Sequence, residues 1–222
     1  MQDANLKYLN DRFLTLDEVS RQSGVSSEEI VEGIDKKLLP QPSYKLARVC
    51  EISSPLGDSY RVEETILYFP HSYVDLVRQS SKGHQETFKS DFIAEMKDHL
   101  LGHSGKEFAY DGAMKDPAKL NAELENEWEH YCNGIYGICT LNASPQEIIE
   151  KEIAVKKLIA LLNAHRSEEL PDQKENLSQI VGDYDRVSNL FAPYQRETSS
   201  RGKYVDKALK AAGCTDKIKH YQ

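Results

Sequence analysis

Between Thr15 and Pro42 the chain has room for two short helices and nothing longer. Thr15 is a helix-capping residue type, and Glu18, three positions on, completes a capping box in which each side chain answers the other's exposed backbone N–H. The helix started there carries Leu16 and Val19 inward and stops at Gly24, which can adopt the left-handed conformation that closes a helix. Ser26 or Ser27 caps the next helix, with Glu28 and Glu29 at its positive end and Ile30 and Ile34 one turn apart on its inner face. Pro40 and Pro42 forbid continuation. Two short helices joined by a Gly-containing turn make a helix-turn-helix.

The flanking patterns extend this unit. Leu6, Leu9 and Phe13 recur at helical spacing on its N-terminal side. On the other side Val49 and Ile52 precede a Ser53-to-Asp58 turn, and Tyr60, Val62, Ile66, Leu67 and Tyr68 follow it, which predicts a wing-like hairpin. After the Pro70 break, helices are expected at 73–80 and 85–101. Gly102, Gly105 and Gly112 mark 102–116 as an exposed loop or hinge. Further helices are expected at 117–131, 144–164, 170–191 and 199–212, the second opened by Ser144, Pro145 and Glu147. The expected fold is mostly α with a small β-hairpin wing. An N-terminal winged helix-turn-helix-like module (residues 1–82) packs on an all-α domain (residues 83–222).

Length and charge narrow the function. The 222 residues suffice for one large or two small domains, and 39% hydrophobic with 29% charged residues suits a globular chain. No apolar run approaches the ~20 residues of a membrane span, and residues 1–9 hold no apolar signal stretch, so a cytoplasmic protein is expected. The net charge of −8 argues against general binding to nucleic-acid backbones, which needs a basic face. From Arg196 onward seven Lys/Arg stand against three acids, a net of +4, so the upstream chain carries −12. That basic end is expected to pack on the protein's own acidic surface. Four cysteines without a CxxC pair suit reduced thiols.

Two resemblances rest on particular stretches. LTLDEVSRQSGVSSEEIVEGIDKKLLP (Leu14–Pro40) resembles the first helix-turn-helix of mercury-resistance-type (MerR) regulators, which implies a wing and a further helix after it. Where those regulators carry an Arg and two Tyr for DNA phosphates, this chain has Val31, Glu32 and Gly33. Glu28, Glu29, Glu32 and Asp35 would also face phosphates as like charges. The implied role is therefore protein contact or weak DNA contact. The segments TLDEV, YFPHSYV (Tyr68–Val74), GIYGICTLNASPQEIIEKE (Gly134–Glu152) and FAPYQRETSSRGKYVD (Phe191–Asp206) are, together, similar to an uncharacterised bacterial family associated with natural-product biosynthesis. That resemblance implies no activity.

Three clusters have chemical potential. The EWEHYCNGIYGIC stretch places Glu127, Trp128, His130, Tyr131, Cys132, Tyr136 and Cys139 together; the alternative is a helix end with Trp128 and Tyr131 in the core. His99 and His103 have a metal-compatible spacing, yet Gly102 ends the helix between them, which favours solvated or capping roles. Arg196, Ser199, Ser200, Arg201 and Lys203 could bind a phosphate or carboxylate at a helix start, unless the hydroxyls cap that helix and Arg201 pairs with acids of the body. With no phosphate loop, nucleophile elbow or HExxH, the sequence names no catalytic residue, metal or cofactor. The expected function is non-catalytic binding or regulation, with a protein or small anionic ligand as partner and DNA disfavoured. The alternative is an accessory enzyme or small-molecule-binding protein of secondary metabolism, its pocket between Trp128, Tyr136 and Arg201.

Overall fold

Asp3 accepts the backbone N–H groups of Asn5 and Leu6 at 2.8 and 3.2 Å and so opens helix α1, Ala4–Arg12. The computed structural model describes residues 3–81, 87–164 and 174–221. The expected capping box forms, and a second accompanies it. The Glu18 N–H donates to Thr15 Oγ1 at 3.3 Å and the Thr15 N–H to Glu18 Oε2 at 2.8 Å, starting α2 (Leu16–Ser23). Ser26 and Glu29 do the same for α3 (Ser27–Asp35). Between them Gly24 closes α2 at φ 79°, a left-handed conformation that costs a glycine little.

The hairpin is longer than its apolar residues alone suggest. Strand β2 (Tyr44–Ser53) pairs antiparallel with β3 (Ser59–Phe69). A two-residue strand β1 (Leu14–Thr15), which no sequence pattern announces, joins on the other side of β3 to give the order β1-β3-β2. The base of the hairpin is buried at Tyr44, Tyr68 and Phe69, whereas Val49, Ile52, Leu56 and Tyr60 are exposed. Helix α4 (Tyr73–Ser80) then covers α2, so that Val19, Ile30, Ile34, Phe69, Tyr73 and Val77 share one core.

The remainder is helical: α5 (Phe88–Gly102), α6 (Pro117–Cys132), α7 (Ile135–Cys139), α8 (Pro145–Ala164), α9 (Lys174–Val187) and α10 (Lys207–Ala211). The 20-residue α8 is the shared spine. Its Ile148, Ile149 and Ile153 pack with Phe92, Met96 and Leu124 of α5 and α6, and its Ala154, Leu158 and Leu161 with Tyr184 and Leu209. No described helix is long and apolar enough to cross a membrane.

Three expectations are corrected in detail. Residues 102–116 break the helical run and are largely exposed, as expected, but Lys106–Lys115 is 3-10 helical on either side of a kink, with Ala109, Tyr110 and Ala113 buried. The successive left-handed residues Tyr110, Asp111 and Gly112 (φ 53°, 44° and 85°) fold it back onto α6 and α8. The helix expected at 199–212 opens with a π-helical turn, Arg201–Asp206. Among the described residues α9 runs only to Val187, followed by an irregular stretch with Phe191 at φ 66°; the expected starts at 85 and 170 lie outside the described residues.

Several contacts sew the N-terminal elements to the helices. The Gln41 N–H donates to the Cys132 carbonyl at 2.8 Å. Farther round, Tyr8, Phe13, Tyr44 and Tyr68 form one cluster with Ala192, where the Tyr44 hydroxyl donates to Gln195 Oε1 at 2.7 Å.

Candidate ligand cleft

A cleft of about 280 Å³ lies where α4 faces α5. Ser72, Asp75, Leu76 and Gln79 recur at helical spacing and form one wall; Phe88, Phe92 and Glu95 recur likewise on α5 and form the other. Tyr73, Tyr131 and the Pro40–Ser43 loop close the bottom, and Asn142–Pro145 at the start of α8 close one end. The cleft is slightly smaller than the roughly 300–1,000 Å³ of most small-molecule sites and has their character, an apolar body with a few convergent polar groups.

Each part is held in place locally. The Tyr73 hydroxyl donates to the Pro40 carbonyl at 2.7 Å. Burial pushes the Tyr73 and Tyr131 phenols far above their usual range, so both remain neutral donors. The aromatic floor is supported from beneath: Phe92 meets Tyr131 with centroids 4.7 Å apart, and Trp128 stacks on Tyr131 at 5.6 Å. At the α8 end the Glu147 carboxylate accepts the backbone and side-chain N–H groups of Asn142, both at 2.6 Å. Ser43 Oγ is buried and has no hydrogen-bond partner among the described residues. At the rim Asp75 pairs with Arg78 at 2.9 Å, and Glu95 lies 3.7 Å from His99. None of the described lining residues is a His, Lys, Arg or Cys. The described wall offers hydroxyl, amide and carboxylate groups beside its aromatic rings.

The residues singled out in the sequence divide differently. Trp128 and His130 lie on α6 and Tyr136 on α7, beside the cleft but not in its wall. Arg201 is 2% exposed and belongs to the packing of α9. It donates to Asp185 Oδ1 at 2.5 Å and to the Asn189 and Ser188 carbonyls, and its guanidinium lies 4.9 Å from the centre of the Tyr184 ring. Arg196 makes a two-pronged bond to Asp206 at 2.8 and 2.7 Å. Ser199 donates to the Arg196 carbonyl, Ser200 bonds the Tyr184 hydroxyl, and Lys203 is exposed. The hydroxyls and both guanidinium groups are thus engaged within the protein. His103 Nδ1 accepts the Gly105 N–H at 2.9 Å, and no metal-binding group of His, Cys, Asp or Glu occurs among the described residues.

Two half-buried acids stand on α6 and α8. Burial raises Glu127 and Glu152 above the ordinary carboxylate value, and Tyr110, whose phenol burial also pushes up, stands beside Glu127. His130 Nδ1 is 3.6 Å from Glu127.

Residues 88–212, more than half of the chain, match the model of DUF6058, a family of unknown function. The chain belongs to this family. The DUF6058 region supplies α5, Tyr131 and the start of α8, while α4 and the Pro40–Ser43 loop precede the match, so the cleft is built from both sides of its boundary. Comparison with curated proteins and with solved structures finds no match. Reading residue by residue missed the cleft walls. Their signal was present in the 72/75/76/79 and 88/92/95 spacings, but the same spacing also describes a helix packed in a core.

Proposed function

We propose that this DUF6058 protein is a non-catalytic binding protein of regulatory type. A small molecule occupies the cleft and sets how the N-terminal unit sits on the family domain. The carrying observation is that α4 and the Pro40–Ser43 loop form one side of the cleft and α5, α6 and α8 the other, so an occupant touches both parts. A ligand that binds one arrangement better than another shifts the population between them. The N-terminal unit is a degenerate MerR-like winged helix-turn-helix, whose α3 presents Glu28, Glu29, Glu32 and Asp35 outward. That acidic face suits contact with a protein and repels a phosphate backbone. The four free thiols fit a cytoplasmic setting, and the likeness to natural-product-associated bacterial proteins fits a metabolite ligand.

The test is a thermal-shift screen of the full chain with small aromatic fragments, run beside Ser72→Phe, which fills the cleft at a helix-start position making no side-chain cap. Fragments should raise the melting midpoint of the wild type and leave the variant unmoved. A fragment set that moves neither protein overturns the reading. Fluorescence anisotropy with random duplex DNA at about 50 mM salt should show no binding at micromolar protein. Binding that weakens steeply with salt would turn the module back towards DNA.

A further inference from the structure

The charge of the cleft narrows what it can hold. Asp75 and Glu95 are its only charged residues among those described, and both are carboxylates. Arg78, one turn on from Asp75 in α4, already binds Asp75 and the Gln22 carbonyl. Helices α4 and α8 both begin at the cleft, which by itself would favour an anion. Each, however, carries an acid in its own first turn, Asp75 in α4 and Glu147 in α8, and the Glu147 carboxylate is committed to Asn142. The remaining surface is rich in aromatic rings, whose electron-rich faces attract cations. Glu95 is the carboxylate with the weaker partner, since His99 stands 3.7 Å away and carries charge only when protonated.

Resting on the cleft reading above, we infer that the ligand is an organic ammonium ion with an aromatic or bulky aliphatic body. The body lies against Phe88, Phe92 and Tyr131, and the ammonium group is answered by Glu95 at the rim. A carboxylate or phosphate of the same size would meet Asp75 and Glu95 with no described cation in the wall to offset them. The site therefore selects by charge sign as well as by shape.

Three probes with one ring and one chain length separate these contributions: 2-phenylethylamine, 2-phenylethanol and 3-phenylpropanoate, titrated calorimetrically into the full chain. Trp128, the one tryptophan, stacks on Tyr131 and gives a second, fluorescent readout. The amine should bind about tenfold more tightly than the acid, with the alcohol between them. Glu95→Gln, an exposed substitution, should bring the amine down to the alcohol's affinity and leave the alcohol unchanged. Acid binding as tight as amine binding overturns the inference, as does an amine affinity that Glu95→Gln leaves intact; either result leaves the cleft reading standing. If none of the three binds while other fragments are still blocked by Ser72→Phe, the ligand class falls alone. If no fragment binds, both fall.

Discussion

The backbone N–H of Gln41 donates to the carbonyl of Cys132 at 2.8 Å, joining the loop after α3 to the last turn of α6. Two residues on, Gly134 turns the chain at φ 74°, and a Cβ there would run into the carbonyl oxygens of Gln41 and Pro42. The seam that positions the floor of the cleft therefore depends on one residue without a side chain.

Gly134→Ala should destabilise the protein by about 2–4 kcal/mol, combining left-handed strain with overlap against main-chain atoms that cannot swing away. Urea unfolding measures this directly. A loss under about 0.5 kcal/mol, the size of an ordinary surface change, would show that the loop simply moves aside.

Arg201 and Asp185 form a buried ion pair at 2.5 Å, with Lys219 as a second, exposed partner of Asp185. Removing one member leaves a charge stranded, so Arg201→Met should cost about 3–5 kcal/mol. Because its donors are already used, inorganic phosphate should leave the wild-type melting midpoint unchanged. A rise with phosphate that the variant loses would make Arg201 a ligand rather than a structural residue.

The pH dependence contains opposing contributions. Burial raises Glu127 and Glu152 above the ordinary value near 4.5, so the folded protein holds their protons more tightly than the unfolded chain does. Their ionisation costs stability at neutral pH, and that cost fades as pH falls through the raised values towards 4.5. Glu18 acts in the other direction: the Thr15 N–H lowers its carboxyl, and the stability this brings above 4.5 is lost as pH falls through the lowered value. Glu127→Gln should therefore stabilise the protein at pH above the raised value and flatten the change as pH falls towards 4.5, with His130, Tyr110 and Glu152 still facing the site. Urea midpoints at several pH values test this, and a profile parallel to the wild type would refute it.

The two ends of the N-terminal unit should differ in sensitivity. Thr15→Ala removes a capping side chain and should cost about 1 kcal/mol. Leu56, 90% exposed at the hairpin tip, should change to Ser within about ±0.5 kcal/mol. Equal effects in thermal melts would mean that the hairpin tip contributes to the fold in a way its exposure does not reveal.

Much of this architecture is legible before folding, because its causes are local. Thr15 with Glu18, Gly24, Ser26 with Glu29, and Ser144 ahead of Pro145 act over three or four residues, so the starts and stops of α2, α3 and α8 are written in adjacent letters. The hairpin turn and α4 follow from equally short patterns. The reversal at Tyr110 is different. Glycines at 102, 105 and 112 announce a break, but only the packing of Tyr110 in the core with α6 and α8 decides that this residue of the break is buried. Likewise the sequence placed Arg196 and Arg201 at a helix start but was silent on Asp206 and Asp185, which take up their charge. The cleft is the clearest case. Its walls come from residues 40–43, 72–79, 88–95, 131 and 142–145, and no local rule states that these meet. The sequence by itself determined where α2, α3 and α8 begin, because capping is a contact between near neighbours. Which faces then enclose a cavity was decided by tertiary packing, because burial joins residues that the chain keeps far apart.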